Sequence, residues 1–168
     1  MITDKKILVI GSGVSGVGAV ELLEKAGASP ILYDSSEKLK EEEVRSRLPE
    51  GSRAEIILGT LPEEVKRETE LVILSPGVPV DLPLVEDMRR HGATIWGEVE
   101  LAWHFGKGKV AAVTGTNGKT TTTTLVGEIF KSWFPKVFVV GNIGTAYTHE
   151  ALNMTENSVT AAEISSFQ

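Results

Sequence analysis

The chain has 168 residues, of which 41% are hydrophobic and 24% charged, and its formal net charge is −6 at pH 7. The acidic balance argues against a nucleic-acid-binding face, and the absence of cysteine excludes disulfides, thiolate metal sites and a cysteine nucleophile. No apolar run approaches the roughly 18 residues of a membrane span, and the N-terminus lacks a signal-peptide core, so the sequence predicts a cytoplasmic protein without membrane insertion.

The N-terminal part alternates short apolar runs with helix-like segments. The predicted strands cover residues 5–11, 29–34, 54–59, 70–75 and 93–97, and the predicted helices cover 15–28, 37–48, 82–92 and 98–105. Parallel strands need crossover connections, and this alternation provides them. The sequence therefore predicts an α/β fold, with a Rossmann-like parallel-sheet domain over residues 1–105.

A second α/β unit is predicted after the glycine-rich linker GKGK at residues 106–109. Its strands are expected at 110–115, 136–141 and 158–165, with a helix over 119–133. Only about sixty residues are available, well below an ordinary domain. We therefore expect residues 106–168 to form an incomplete P-loop α/β domain.

The first glycine motif is Gly11-Ser-Gly13-Val-Ser-Gly16, which follows a predicted strand and opens a helix. Asp34 lies about twenty residues later at the end of the second strand, as in dinucleotide-binding sites. The motif suits the diphosphate of NAD, FAD or UDP, and the hydroxyls of Ser12 and Ser15 suit any of them. The alternative is a tight turn without a ligand.

A Ser-Pro-Gly turn, Ser75 to Gly77, ends the fourth predicted strand. The carboxyl ends of parallel strands are where open α/β sheets bind ligands. A rigid turn set by Pro76 and Gly77 is an equally good interpretation.

The second glycine motif, GTNGKT at Gly115–Thr120, follows a strand and enters a helix. In a P-loop, backbone amides wrap phosphates, the lysine reaches the β- and γ-phosphates, and a hydroxyl binds Mg²⁺. The spacing is shorter than the standard motif, whose first glycine would fall on Val113. The run Thr120–Thr124 then places hydroxyls in the first helical turns, facing a ligand or free backbone groups. A polar turn without a ligand is the alternative.

Glu163 lies among small apolar residues at the end of a strand expected beside the P-loop strand. A carboxylate in such a place is costly unless it is paired or binds metal, so the sequence predicts a Mg²⁺ ligand, direct or through water. An exposed glutamate on an edge strand is the alternative. Asn142, in GNIG, supplies an amide near the same edge.

Together, GSGVSG with Asp34, SPG, TGTNGKTTT, GNIG and the terminal EISSFQ resemble the Mur ligases, the ATP-dependent amide-forming enzymes of peptidoglycan precursor synthesis. The resemblance spans essentially the whole chain. It implies a cytoplasmic, monomeric enzyme that uses ATP and Mg²⁺ to join D-glutamate to UDP-N-acetylmuramoyl-L-alanine through an acyl phosphate.

The resemblance also implies a role for particular residues, with UDP rather than NAD in the first domain. The UDP substrate would be bound by Gly13, Val14, Ser15, Asp34, Ser35, Ser36, Ser75 and Gly77, and its muramoyl part by Asn142, Ser165 and Gln168. ATP would be bound by Gly115, Thr116, Asn117, Gly118, Lys119, Thr120 and Thr121, with Lys119 and Glu163 catalytic and Thr120 and Glu163 on the metal. Family members often carry Thr or Arg after the aspartate, where this chain has Ser35 and Ser36.

Mur ligases are much longer than 168 residues, so we expect this chain by itself to lack ligase activity. Two other functions remain open on the sequence. The first glycine motif alone permits an NAD-dependent oxidoreductase, and both motifs permit a non-catalytic nucleotide-binding protein.

Overall fold

The computed structural model describes residues 2–165 and divides into two compact units, residues 1–98 and 99–168. The helices are α1 Val14–Lys25, α2 Glu41–Arg45, α3 Glu63–Glu68, α4 Pro83–Arg90, α5 Glu98–Phe105, α6 Lys119–Lys131 and α7 Tyr147–Glu150, with short 3-10 turns at Ile2–Asp4 and Ala151–Asn153. The strands are β1 Ile7–Ile10, β2 Ile31–Asp34, β3 Glu55–Leu58, β4 Leu71–Leu74, β5 Thr94–Gly97, β6 Lys109–Val113, β7 Val137–Gly141 and β8 Val159–Glu163.

The first unit is a five-stranded parallel sheet in the order β3-β2-β1-β4-β5. Every residue of the central strands β1 and β4 is buried, as expected for parallel strands covered on both faces. On one face Leu8 and Ile10 pack in a cluster with Val85 and Met88 of α4. Helix α1 packs against β1 and β2. This architecture confirms the predicted Rossmann-like fold.

Two helices in this unit differ from what the sequence predicted. The helix predicted over 37–48 is only the five residues of α2. Helix α3 was not predicted, and it buries none of its residues. Its sequence, EEVKRE, has one apolar residue and therefore no helical periodicity to detect.

The second unit contains a three-stranded parallel sheet in the order β6-β8-β7. All five residues of the central strand β8 are buried, whereas β6 is largely exposed along the edge. Helix α6 packs against the sheet, and Gly127 allows it to approach closely, because a Cβ there would lie 2.5 Å from a methyl of Val139. These strands and α6 agree with the elements predicted for a P-loop unit.

The division between the units falls between Glu98 and Val99, one helix earlier than the boundary predicted after residue 105. All of α5 after Glu98 therefore belongs to the second unit. Gly106, which follows α5, approaches Tyr147 and Met154 of the same unit. No helix among residues 2–165 is long and apolar enough to cross a bilayer.

Candidate functional site

The ligand-binding residues predicted for the first unit follow three neighbouring strands at one edge of its sheet. Gly13, Val14 and Ser15 follow β1, Asp34 to Ser36 end β2, and Ser75 and Gly77 follow β4. The registers Ile10↔Tyr33 and Ile10↔Leu74 place the three strand ends side by side. The structure therefore brings this group of predicted residues together.

The three motif glycines of the first loop have different structural roles. Gly11 has a φ of +101°, and a Cβ on Gly16 would lie only 1.8 Å from the Gly11 carbonyl oxygen. Gly16 is thus required for the close contact between α1 and the loop. A Cβ on Gly13 would meet no atom within 4 Å, and φ at Gly13 is −73°. Only Gly13 leaves open space above the helix N-terminus, where an anion is favoured.

Ser12 does not face that open space, contrary to its predicted role beside a diphosphate. Its side chain is 2% exposed. Its backbone N–H and its hydroxyl both donate to Oδ2 of Asp34, at 2.9 and 2.7 Å. Ser15 is half-buried in the first turn of α1, and Val14 is 80% exposed at the start of that helix.

Asp34 is held by hydrogen bonds from its neighbours. Its Oδ1 accepts a third hydrogen bond, from the amide of Ser36 at 3.0 Å. Burial alone would raise the pKa of Asp34, but the hydrogen bonds from Ser12 and Ser36 and the charge of Arg47 outweigh it and hold that pKa below 3.8. Ser35, by contrast, is exposed.

Ser75 supports the glycine loop from the other side. Its hydroxyl donates to the carbonyl oxygen of Gly11 at 3.2 Å. The following turn is closed by the amide of Val78, which donates to the Ser75 carbonyl at 2.9 Å. Gly77 is exposed at this turn, with open space around its Cα.

In the second unit, the predicted P-loop lies between β6 and α6. Gly118 caps α6 in the left-handed region, with φ 75° and ψ 1°, and Gly115 has a φ of +147°. Neither conformation suits a residue with a side chain. Lys119 folds back so that its Nζ donates to the Gly115 carbonyl at 2.9 Å. A phosphate in the loop would therefore compete with that carbonyl for the lysine.

The hydroxyls of the threonine run have two roles. Thr123 is buried and donates to the Lys119 carbonyl, and Thr124 donates to the Thr120 carbonyl, both at 2.8 Å. These i−4 bonds satisfy the hydroxyls within the helix. Thr120 and Thr121 are exposed at the helix start. Their hydroxyls are the ones placed to meet a ligand, together with exposed Thr116 and Asn117.

Glu163 ends the central strand directly beside the P-loop strand. It pairs in register with Val113, and the Ile164 amide donates to the Val113 carbonyl at 2.9 Å. The side chain is 4% exposed, and its Oε2 has no hydrogen-bond partner among the described residues. The alternative of an exposed edge-strand glutamate is therefore wrong. A buried carboxylate oxygen without a donor fits a cation ligand.

Asn142 and Ser165 meet at the same edge of the second sheet. The Asn142 side-chain amide donates to the Ser165 hydroxyl, and the Asn142 backbone amide donates to the Glu163 carbonyl at 3.2 Å. Gly141 makes this approach possible, since a Cβ there would lie 2.1 Å from the Glu163 carbonyl oxygen. Gln168 lies outside the described residues. Within residues 2–165, no three acidic or histidine side chains come together as a metal cluster.

Sequence comparisons identify two family models along the chain. Residues 5–97 match the Mur ligase MurD-like N-terminal domain, and residues 113–168 match the Mur ligase middle domain. These matches confirm the resemblance inferred from the motifs.

Relatives of known name cover the chain almost completely. UDP-N-acetylmuramoylalanine–D-glutamate ligases of Lachnoclostridium phytofermentans and Lachnospira eligens are 55% and 52% identical over 98% of this chain. The same ligase of Alkaliphilus metalliredigens is 46% identical. In all three cases the chain spans 36% of the relative's length.

A solved structure, the pseudomurein peptide ligase type C of Methanothermus fervidus, is similar in fold. It matches 96% of this chain and 33% of its own, with a TM-score of 0.50 and 19% sequence identity. At this identity the similarity concerns the fold alone.

Proposed function

Because the chain belongs to the Mur ligase family, we propose that it supplies the UDP-substrate domain and the start of the ATP-binding domain of a ligase. The ligase joins D-glutamate to UDP-N-acetylmuramoyl-L-alanine, in keeping with the names of its relatives. The observation that carries the ATP-dependent part is buried Glu163, on the strand beside the predicted P-loop, whose Oε2 has no hydrogen-bond partner within residues 2–165.

In the first unit, the UDP diphosphate would lie over the start of α1, where Gly13 leaves space and the helix dipole favours an anion. Asp34 and the serines after it would lie near the nucleoside. In the second unit, Asn142 and Ser165, which contact each other, would reach the muramoyl part of the substrate.

In the second unit, the amides of the loop ending at Gly118 would bind the ATP phosphates, and Lys119 would leave the Gly115 carbonyl to stabilise charge on the transferred phosphoryl group. Thr120 and Glu163 would hold Mg²⁺, which neutralises phosphate charge during transfer. The alanyl carboxylate would attack the γ-phosphorus of ATP, so that the bond to the β-phosphate breaks, ADP leaves and an acyl phosphate forms. The amine of D-glutamate would then attack the acyl carbon, lose a proton and displace inorganic phosphate to form the amide.

The direct test is calorimetric titration of the 168-residue chain with ATP, in the presence of Mg²⁺ and in the presence of a chelator. We expect binding that requires Mg²⁺ and is lost in Lys119→Ala. Since the chain spans 36% of its relatives, we expect binding without turnover. A chain that binds UDP-N-acetylmuramoyl-L-alanine but not Mg·ATP would instead be a non-catalytic nucleotide-binding protein.

A further inference from the structure

Ser12 is the one buried residue between two glycines in the first loop. It is 2% exposed, whereas its neighbour Gly13 is exposed. Both of its donors, the backbone N–H and the hydroxyl, end on Oδ2 of Asp34 at 2.9 and 2.7 Å. A residue that follows β1 is thereby tied to the last residue of β2.

Asp34 has little capacity left for a ligand. An ionised carboxylate offers about four acceptor positions. Ser12 takes two of them on Oδ2, and the Ser36 amide takes one on Oδ1. Chelating both hydroxyls of a ribose needs two free positions. The geometry leaves room for about one further hydrogen bond.

The remainder of the loop depends on the Ser12 anchor. Gly11 is fixed separately, because its amide donates to the Tyr33 carbonyl at 2.8 Å and its carbonyl accepts from Ser75. A side chain at Gly13 would meet nothing within 4 Å. The backbone amides that would face a diphosphate therefore come directly after Ser12 in the sequence, and the hydrogen bonds to Asp34 fix the position of Ser12.

We infer that Ser12 and Asp34 form a clamp that positions the diphosphate-binding backbone, and that Asp34 acts through this loop rather than by chelating the ribose diol. Asp34 is thus a positioning residue and Ser12 its partner. The ligand-binding consequence rests on the proposed function, but the clamp itself does not.

The clamp can be tested without a ligand. Amide hydrogen exchange would be measured by NMR in the 168-residue chain, in Asp34→Asn and in Glu50→Gln, a matched carboxylate-to-amide control at an exposed turn. In Asp34→Asn an NH₂ group must face a donor whichever way the amide turns. We expect the Ser12 amide to exchange at least about tenfold faster than in the wild type or the control. Equal exchange in all three proteins would overturn the clamp.

The second test separates the clamp from a direct ribose contact. UDP, 2′-deoxy-UDP and uridine would be titrated into the wild type, Ser12→Ala, Asp34→Asn and the double variant. The clamp predicts that Asp34→Asn weakens UDP and 2′-deoxy-UDP by the same factor, about tenfold, and uridine far less. Ser12→Ala should lose less nucleotide affinity, because its backbone amide can still donate to Asp34. The double variant should bind the nucleotides no more weakly than Asp34→Asn does.

If Asp34→Asn lost more affinity for UDP than for 2′-deoxy-UDP, a direct contact between Asp34 and the ribose diol would be shown and the inference would be overturned. If the wild type bound none of the three ligands, the proposed function would be wrong, and the exchange experiment alone would decide the clamp. If Asp34→Asn failed to fold, Ser12→Ala would decide the clamp, which predicts that this variant binds UDP and 2′-deoxy-UDP more weakly by the same factor.

Discussion

Replacing Glu163 by glutamine should stabilise the second unit while removing its metal-dependent binding of ATP. Glu163 is 4% exposed on the central strand, and its Oε2 has no hydrogen-bond partner among the described residues. Leaving a buried polar group unsatisfied costs about 1–3 kcal/mol, and more when it is charged. Glutamine keeps the shape but removes the charge, so we expect a gain of about 1 kcal/mol in unfolding free energy.

The assay is thermal unfolding without nucleotide. A change of about 1 kcal/mol shifts the midpoint of a domain this small by about 4–8 °C. Glu156→Gln is the matched control, because that side chain is 79% exposed and lies 3.6 Å from Lys107, an ion pair that contributes little. We expect no measurable shift in the control.

Addition of Mg·ATP should raise the unfolding midpoint of the wild type above that of Glu163→Gln. At about 100 times its dissociation constant, a ligand stabilises the form that binds it by about 2.7 kcal/mol. The wild type should gain this increment, and Glu163→Gln should gain little of it. A lower midpoint for Glu163→Gln without nucleotide, or an undiminished response to Mg·ATP, would refute the assignment of this carboxylate to a cation.

Gly16→Ala should abolish or strongly impair folding of the first unit, because its Cβ would lie 1.8 Å from a backbone oxygen. Gly13→Ala should unfold like the wild type but bind UDP more weakly, because its Cβ would enter open space. Equal unfolding free energies for the two variants would contradict this difference. The pKa of Asp34 is lowered on folding, so its ionised form should stabilise the protein fully above about pH 4 and progressively less as the pH falls through the folded-state pKa. In Asp34→Asn the unfolding free energy should therefore depend less steeply on pH below about pH 4. Parallel curves of unfolding free energy against pH for the two proteins would count against the clamp. Lys119→Ala, in a complete enzyme containing this chain, should lower kcat by about 10²-fold or more, and a near wild-type kcat would remove the lysine from the mechanism.

The sheet could be predicted from the sequence because its buried strands are continuous apolar runs. Ile7–Ile10 and Leu71–Leu74 are short apolar runs bounded by turn residues, a pattern that favours a buried strand over a helix. The short helices were harder, because α2 and α3 bury one residue and none, respectively. Neither helix has an apolar face or a side-chain capping hydrogen bond that would mark its limits in the sequence.

The unit boundary could not be predicted from composition. The composition of Gly106 to Lys109 is typical of a linker, yet the second unit already begins at Val99, within α5. The distant neighbours of Gly106 are Tyr147 and Met154, roughly 40 to 50 residues away in the sequence, and no local sequence pattern indicates that contact. A glycine-rich segment indicates a turn but not which unit holds the neighbouring helix.

The candidate sites were predictable to the extent that they are local. The glycine loops, the strand ends and the placement of Glu163 beside the P-loop strand follow from spacing and from the geometry of parallel sheets. The bond between Ser12 and Asp34 could not be found in this way. Ser12 is a small polar residue in a loop, and the sequence does not show whether its hydroxyl faces the open space at Gly13 or bonds to Asp34 at the end of β2.

The most direct measurement of the central claim is calorimetric titration of the 168-residue chain with UDP-N-acetylmuramoyl-L-alanine, with NAD as the control ligand. The account predicts that the UDP compound binds and that NAD does not. The open position at Gly13 would receive the diphosphate of either ligand, but Asp34 keeps about one free acceptor position and cannot chelate the ribose diol, a contact on which NAD sites of this type depend. Binding of NAD in place of the UDP compound would contradict the proposed substrate and make a dehydrogenase the better interpretation of the first glycine loop.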